Sequence, residues 1–334
     1  VEERLSELLV SVRGGVATVT LNRPAALNAL SMGMLEGLGD LLDRWERDPA
    51  VRTVVFRGAG GKAFCAGGDI RVMHASVTAG TAVHRRFMEV EYALDHRIYG
   101  YPKPIVAHMD GIVMGGGMGI AQGAALRIVG DRTRMAMPET IIGLFPDVGA
   151  SWFLSRLPAA LGSYIALLGP TLDAADAIYC GLADLNVGAE SPSRIEMLRP
   201  AVDAHFARDS VEAIAASLAG ETRAEYRSWA GETLEGLGRR SPTMLKVALE
   251  LQRRGRHMAL ADCFRMELAA INAAFEHGDL IDGIRARILD KDNRPTWKPA
   301  RLEDVDRAAV EAFFVPRWKP REHPLASLTT SEGP

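Results

Sequence analysis

Short apolar runs rich in β-branched residues at 8–12 and 16–21 flank Arg13-Gly14-Gly15, a pattern that predicts a strand, a tight turn and a second strand. Ser31 is placed to cap a helix running to about residue 47, where Asp48-Pro49 breaks it, and 53–56 reads as a buried strand. Alternation continues with a helix over 82–99, a strand over 104–108, a helix opening in the triple glycine at 115–117 and a strand over 126–129. Helices are predicted around 151–168 and 173–180. From residue 191 the strand signals fade and helical spacing takes over, as in Met244-Val247-Ala248-Leu251 and Phe264-Leu268-Ile271. After Asp290 proline becomes frequent. The expected organisation is an α/β core over 1–190, a helical subdomain over 191–290 and a proline-rich tail with little regular structure over 291–334.

Composition narrows the function classes. Against 39 Lys plus Arg stand 42 Asp plus Glu, a net charge of −3 that does not suggest a nucleic-acid binder. The longest charge-free stretches, 111–126 and 157–172, are shorter than the ~20 apolar residues of a membrane span, so no membrane partner is expected. Three scattered cysteines cannot build a disulfide framework and no basic stretch followed by an apolar run opens the sequence, so a cytoplasmic location is expected. Gly115-Gly116-Gly117-Met118-Gly119 fits no dinucleotide-binding spacing, Gly61-Lys62 lacks the remainder of a phosphate loop, and the eight histidines show no zinc-ligand spacing. Neither a cofactor nor a metal is expected.

Two segments share one physical signature, a buried strand feeding a glycine-rich turn that opens a helix: Val54-Val55-Phe56 leading to 63–69, and Ile105-Val106-Ala107-His108 leading to 111–119. Each delivers free N–H groups at a helix start, and two such donors on one oxygen would make an oxyanion hole; taken singly, these glycines serve equally well as tight turns. In a third segment Glu139 and Asp147 lie eight residues apart in apolar, proline-punctuated surroundings, where desolvation would raise both carboxyls for acid, base or nucleophile work; the alternative is two helix caps. Cys65 in its apolar setting reads as a buried structural thiol, His108 as a core histidine, Glu91 with Tyr92 as helix residues, and Arg253-Arg254-Gly255-Arg256-His257 as a solvated helix end or a phosphate contact.

Together these segments resemble the enoyl-CoA hydratase/isomerase (crotonase) superfamily. The resemblance rests on Leu21-Asn22-Arg23-Pro24 with Asn28-Ala29-Leu30, on Ala63-Phe64-Cys65-Ala66-Gly67-Gly68-Asp69-Ile70, and on Pro104-Ile105-Val106-Ala107 with Gly111 and the triple glycine. It implies a spiral of ββα units, an acyl-CoA thioester as ligand, an oxyanion hole from the N–H groups of Gly68 and Gly116, and Asp69 and Ile70 beside them at the substrate. Within the superfamily the sequence resembles the 3-hydroxyisobutyryl-CoA hydrolases. The carrying residues are Glu91-Tyr92, residues 114–119, Met137-Pro138-Glu139-Thr140, residues 143–149, Ser241-Pro242-Thr243, and Asp290-Lys291-Asp292 with Trp297-Lys298-Pro299. That likeness implies hydrolysis of a short branched hydroxyacyl-CoA, with Glu139 and Asp147 acting at the thioester and Glu91 touching the acyl group. The similar hydratases carry a second glutamate three residues after the central glycine, where this sequence has Gly119. An enoyl-CoA hydratase or isomerase is the alternative expectation, and a non-catalytic acyl-CoA-binding subunit a second; a homo-oligomer is possible for the hydrolase.

Overall fold

In the computed structural model, which describes residues 2–5 and 7–329, the expected hairpin is β2 (Leu8–Arg13) antiparallel to β3 (Val16–Leu21), with Leu8 opposite Leu21 and Val10 opposite Val19. Outside it lies β1 (Glu2–Leu5), whose Glu-Glu-Arg sequence offers no apolar alternation to read. Three turns of chain then follow one plan. β4 (Thr53–Gly58) leads into β5 (Ala63–Cys65), β6 (Ile105–His108) into β7 (Ile112–Met114), and β8 (Leu126–Val129) into β9 (Arg134–Ala136). The first members join a seven-stranded sheet in the order β1-β2-β3-β4-β6-β8-β10, where β10 is Leu185–Asn186, and the second members pair in a separate sheet, β5-β7-β9. All pairs from β3 onward are parallel. The chain therefore climbs as a spiral of ββα units. The corners are tight: Gly111 has φ +79°, and a Cβ there would lie 2.3 Å from the Lys62 carbonyl oxygen.

Helices pack over the strands. α1 (Met32–Arg47) starts where Ser31 Oγ accepts the Met34 N–H at 3.1 Å, and it buries Met34, Leu35, Leu38, Leu41, Leu42 and Trp45 along one stripe. Burial on this scale contributes roughly 1.5–3 kcal/mol per large apolar side chain. α2 (Ile70–Thr78) and α3 (Val83–Tyr99) follow β5, and α4 (Gly116–Gln122) follows β7. The helix expected over 151–168 is broken into α5 (Ala150–Phe153), a 3-10 turn at Leu154–Arg156 and α6 (Leu161–Leu168). Pro158 cannot donate to a continuous helix, and Gly162 lets α6 press on the Leu154 carbonyl, where a Cβ would come within 2.0 Å. α7 (Ala174–Cys180) is capped by Asp173, which accepts the Asp176 N–H.

Beyond β10 the described chain is helical: α8 (Arg194–Phe206), α9 (Val211–Ala219), α10 (Arg227–Gly238), α11 (Pro242–Gly255), α12 (Leu260–His277) and α13 (Leu280–Ile284), continued by a π turn at Arg285–Leu289. Where little regular structure is expected, the chain makes short turns at Leu302–Asp304, α14 (Arg307–Glu311), Ala312–Phe314 and Pro320–Glu322. Val305, Val310, Phe313 and Leu325 are buried and join the same apolar cluster as the strands. Proline frequency signals irregular backbone, not exposure, and these apolar anchors decide the packing. Residues 330–334 of the expected tail lie outside the described residues. The division near 190 and 290 remains our proposal for the units of the chain.

Candidate active site

The first glycine turn is held from behind by the Asn22–Leu30 stretch. Asn28 Nδ2 donates to the carbonyls of Ala59 (2.9 Å) and Ala63 (2.8 Å) while its Oδ1 accepts the Arg23 N–H at 3.0 Å. Arg23 in turn reaches Ala29 O (2.7 Å), Glu7 (2.8 Å) and Asp69 (2.9 Å). Backbone bonds from Leu30 N to Gly67 O (2.8 Å) and from Asp69 N to Leu30 O (3.0 Å) then fix Gly68 between them. These residues of the motif build the loop that carries Gly68.

Gly68 meets the second turn at the start of α4. A Cβ on Gly116 would lie 3.3 Å from Gly68 N, so the two N–H groups stand side by side, and neither is donated to an acceptor among the described residues. Gly116 is the first residue of α4, a position whose N–H has no partner within the helix. Both glycines line a cavity of about 420 Å³ with Glu91, Glu139 and Asp147, closed by Ile70, Met73, Met88, Leu144, Ile271 and Phe275. The same Gly116 Cβ would lie 2.2 Å from Glu91 Oε1, and a Cβ on Gly115 3.1 Å from Glu139 Oε1. Glycine thus lets both carboxyls come close to these two N–H groups.

Five acids cluster here without an ion pair among the described residues: Glu91 and Asp95 one turn apart on α3, Glu139, Asp147, and Glu267 of α12, all buried. Burial raises the Glu139 carboxyl well above its usual range and Asp147 adds to the shift. Glu91 is raised by the same two causes, and Asp95 by burial and then Glu91. Asp147 is raised by burial only to about 6, because the Tyr92 hydroxyl donates to its Oδ2 at 2.6 Å. Burial takes Glu267 to about 8, opposed by bonds from the N–H groups of Gly149 (2.7 Å) and Ser151 (2.8 Å). Through those bonds Glu267 fixes the turn carrying Asp147, where Val148 adopts φ +54°, a conformation costing roughly 1–3 kcal/mol for a β-branched residue. Asp95 and Glu139 keep carboxyl oxygens with no protein partner.

Of the residues expected at the site, Gly68, Ile70, Glu91, Gly116, Glu139 and Asp147 come together around the cavity. Asp69 does not line it; its carboxylate faces Arg23. Cys65 is fully buried, and desolvation pushes its thiol up to about 12, which leaves an unreactive side chain. His108 sits in the large sheet opposite Arg57 and Ile128. The basic run at 253–257 lines a different groove, with Arg254 held by Glu250 and Glu311. Asp95 and Glu267 were not singled out by sequence reasoning. Their signal is an acid on an apolar stripe, Asp95 between Leu94 and Ile98 on α3 and Glu267 between Phe264 and Ile271 on α12. Among the described residues no group of three or more His, Cys, Asp and Glu side chains is arranged to hold a metal ion.

A family profile described as Enoyl-CoA hydratase/isomerase matches residues 16–197 and 186–314. The chain belongs to this family. Within it, the chain is 36% identical to a protein of Arabidopsis thaliana named probable 3-hydroxyisobutyryl-CoA hydrolase 3, covering 92% of this chain and 91% of the relative. It is also 36% identical to the mitochondrial 3-hydroxyisobutyryl-CoA hydrolase of Gallus gallus, over 93% and 89%. Among solved structures of the family, one described as an enoyl-CoA hydratase from Rhodobacter sphaeroides superposes with a TM-score of 0.88 at 36% identity, covering 93% of this chain and 98% of that one. A structure described as a carnitinyl-CoA dehydratase from Mycobacterium thermoresistibile gives 0.88 at 39% identity, over 98% and 99%. The family's spiral is the fold found here.

Proposed function

We propose that this protein hydrolyses a short branched hydroxyacyl-CoA thioester, 3-hydroxyisobutyryl-CoA, to 3-hydroxyisobutyrate and CoA. The observation that carries the reading is the meeting of the Gly68 and Gly116 N–H groups with Glu139 and Asp147 at one cavity. The names of the relatives support the same substrate. In the proposed reaction the thioester oxygen lies between the two N–H groups, which stabilise the negative charge formed when the carbonyl carbon is attacked. Glu139 takes a proton from the attacking water, or attacks directly and is released by water. A carboxyl raised by burial is the stronger base once ionised. Asp147, oriented by Tyr92, holds that water or the substrate hydroxyl. The C–S bond breaks as the tetrahedral adduct collapses, and the CoA thiolate leaves and takes a proton. No step calls on a metal or a cofactor.

The two similar structures, described as a hydratase and a dehydratase, favour a second reading, addition of water to an enoyl-CoA or its reverse. Against it stands the α4 position where similar hydratases carry a second glutamate. A Cβ on Gly119 would lie 2.5 Å from Asp95 Oδ2 and 2.9 Å from Val148 Cβ, so the space for such a side chain is taken. A non-catalytic role is disfavoured by buried carboxyls left without partners, a costly arrangement that a purely structural site has no reason to keep. Thiol release across a panel of acyl-CoA thioesters tests the reading: release from 3-hydroxyisobutyryl-CoA supports it, and none from any member contradicts it.

No helix among the described residues is long and apolar enough to cross a membrane. The cytoplasmic expectation stays a proposal, and the Gallus gallus relative is named mitochondrial.

A further inference from the structure

Among the described residues that line the active-site cavity, one is cationic: Arg287, in the π turn after α13. Its Nη1 donates to Asn293 Oδ1 at 2.8 Å, while its Nε is buried with no partner. The acids of the same stretch are engaged elsewhere. Asp282, Asp290 and Asp292 all bind Arg285 (2.7, 3.0 and 3.0 Å), and Asp279 accepts from Ser241 Oγ (2.6 Å) and Lys298 N (2.9 Å). Close by is Arg240, just before α11, whose Nη2 donates to Leu168 O at 2.9 Å and whose Nε is again buried and unpartnered. Neither guanidinium has a carboxylate within ion-pair distance among the described residues. Burial and then the charge of Arg287 push Arg240 down to about 10.

Two neighbouring guanidinium groups, partly desolvated, repelling one another and keeping N–H donors unused, are a costly arrangement in a folded protein. An anion relieves it. The planar N–H fork of arginine matches the oxygens of a phosphate or a carboxylate, and a charge-assisted bond there is stronger than one to a neutral acceptor. Among the described residues Arg287 makes no ion pair with Glu91, Glu139 or Asp147, and its charge is not among the influences on those three carboxyls, so its guanidinium is not neutralised by the acid cluster.

We infer that Arg287, backed by Arg240, forms an anion subsite on the wall of the acyl-CoA cavity, and that its ligand is an oxyanion carried by the substrate itself. Such a group has two sources in an acyl-CoA, a phosphate of CoA or a carboxylate ending the acyl chain. This rests on the acyl-CoA reading above and adds to it a group that recognises substrate at a distance from the thioester.

The test compares thiol release within two substrate pairs. One pair carries a single acyl group on CoA or on phosphate-free pantetheine. The other carries on CoA a neutral acyl group or its analogue ending in a carboxylate. Ratios of kcat/KM are taken within each pair for wild type, Arg287→Met and Arg240→Met, so any loss of folded protein cancels. Wild type is expected to favour the charged member of one pair by about tenfold or more through KM, and Arg287→Met to bring that ratio to within about threefold of unity, with Arg240→Met in between. The pair that responds identifies the source. No preference in wild type, or a preference that survives in Arg287→Met, overturns the subsite. If wild type releases thiol from no thioester, the hydrolase reading fails by itself. The subsite is then judged by calorimetric affinity for CoA against pantetheine and for the carboxylated against the neutral acyl-CoA, and equal affinities within both pairs, or a preference unchanged in Arg287→Met, overturn it.

Discussion

At the scale of single residues, the proposed chemistry rests on buried acids that have no ion pair among the described residues. The Glu139 carboxyl is raised by burial and then by Asp147 and keeps Oε2 unpartnered, so its substitution should be felt in turnover before binding. Glu139→Gln keeps the shape and is expected to lower kcat by ~10²–10⁴, with acyl-CoA affinity nearly unchanged by calorimetry. A variant with more than half the wild-type kcat would reduce Glu139 to a structural role. Asp147 offers a second handle, since among the described residues Tyr92 is the one side chain that donates to it. Losing that hydroxyl removes an interaction favouring the ionised form, so in Tyr92→Phe the carboxyl of Asp147 moves above about 6. If catalysis needs Asp147 ionised, the acid limb of the kcat/KM profile shifts to higher pH in the variant; an unmoved limb removes Asp147 as the titrating group. That Glu139, Asp147, Gly68 and Gly116 meet at one cavity was legible because the resemblance of their motifs implies it. Asp95 and Glu267 were passed over because stripe position reveals burial but not which partners meet there.

At the scale of elements, the hairpin, α1, α3, β6 and β8 were readable from their periodicity, within one or two residues of the observed ends. The second sheet was not, because β5, β7 and β9 have three residues each, too few to establish a period of two. The break of the 151–168 helix is marked in the sequence by Pro158, but the seating of α6 needed the approach of Gly162 to the Leu154 carbonyl, a packing contact that periodicity does not show. The start of α4 is tightly confined, with a Cβ at 116, 117 or 119 falling within 2.5 Å of a neighbouring atom. Gly119→Glu must displace Asp95 or Val148, and overpacking of this kind costs about 1–3 kcal/mol, to which two buried like charges add. The variant should show a lower midpoint in denaturant, slower thioester hydrolysis and no gain in enoyl-CoA hydration. Wild-type stability together with new hydratase activity would show that α4 accepts the second carboxylate.

At the scale of the whole molecule, one apolar cluster joins residues from Leu8 to Leu325, and the acid cluster lies within it, so the charge state of the site and the stability of the fold are linked. Glu91, Asp95, Glu139, Asp147 and Glu267 are all raised, with Asp147 near 6 and Glu267 near 8. A raised carboxyl binds its proton more tightly in the folded chain than in the unfolded one. Stability from these groups is therefore present at low pH and declines as pH rises from the unfolded values near 4 through the folded ones. The lowered acids, such as Asp184 and Asp292, act in the opposite sense, but their contribution is complete once pH exceeds the ordinary carboxylate range. His84, His96 and His323, lowered by burial, also act in the opposite sense until pH passes the ordinary imidazole value near 6.5, so the melting temperature should fall between about pH 7 and pH 8.5, and fall less in Glu267→Gln; a rise across that interval would contradict the linkage. The central claim is that this family member attacks a thioester carbon and does not hydrate a double bond. It is tested most directly by giving the protein 3-hydroxyisobutyryl-CoA and crotonyl-CoA under identical conditions and identifying products by chromatography. The structure predicts that free CoA and 3-hydroxyisobutyrate form at least ~10²-fold faster than 3-hydroxybutyryl-CoA, a difference in barrier of about 2.7 kcal/mol or more. Equal or faster formation of 3-hydroxybutyryl-CoA would contradict it.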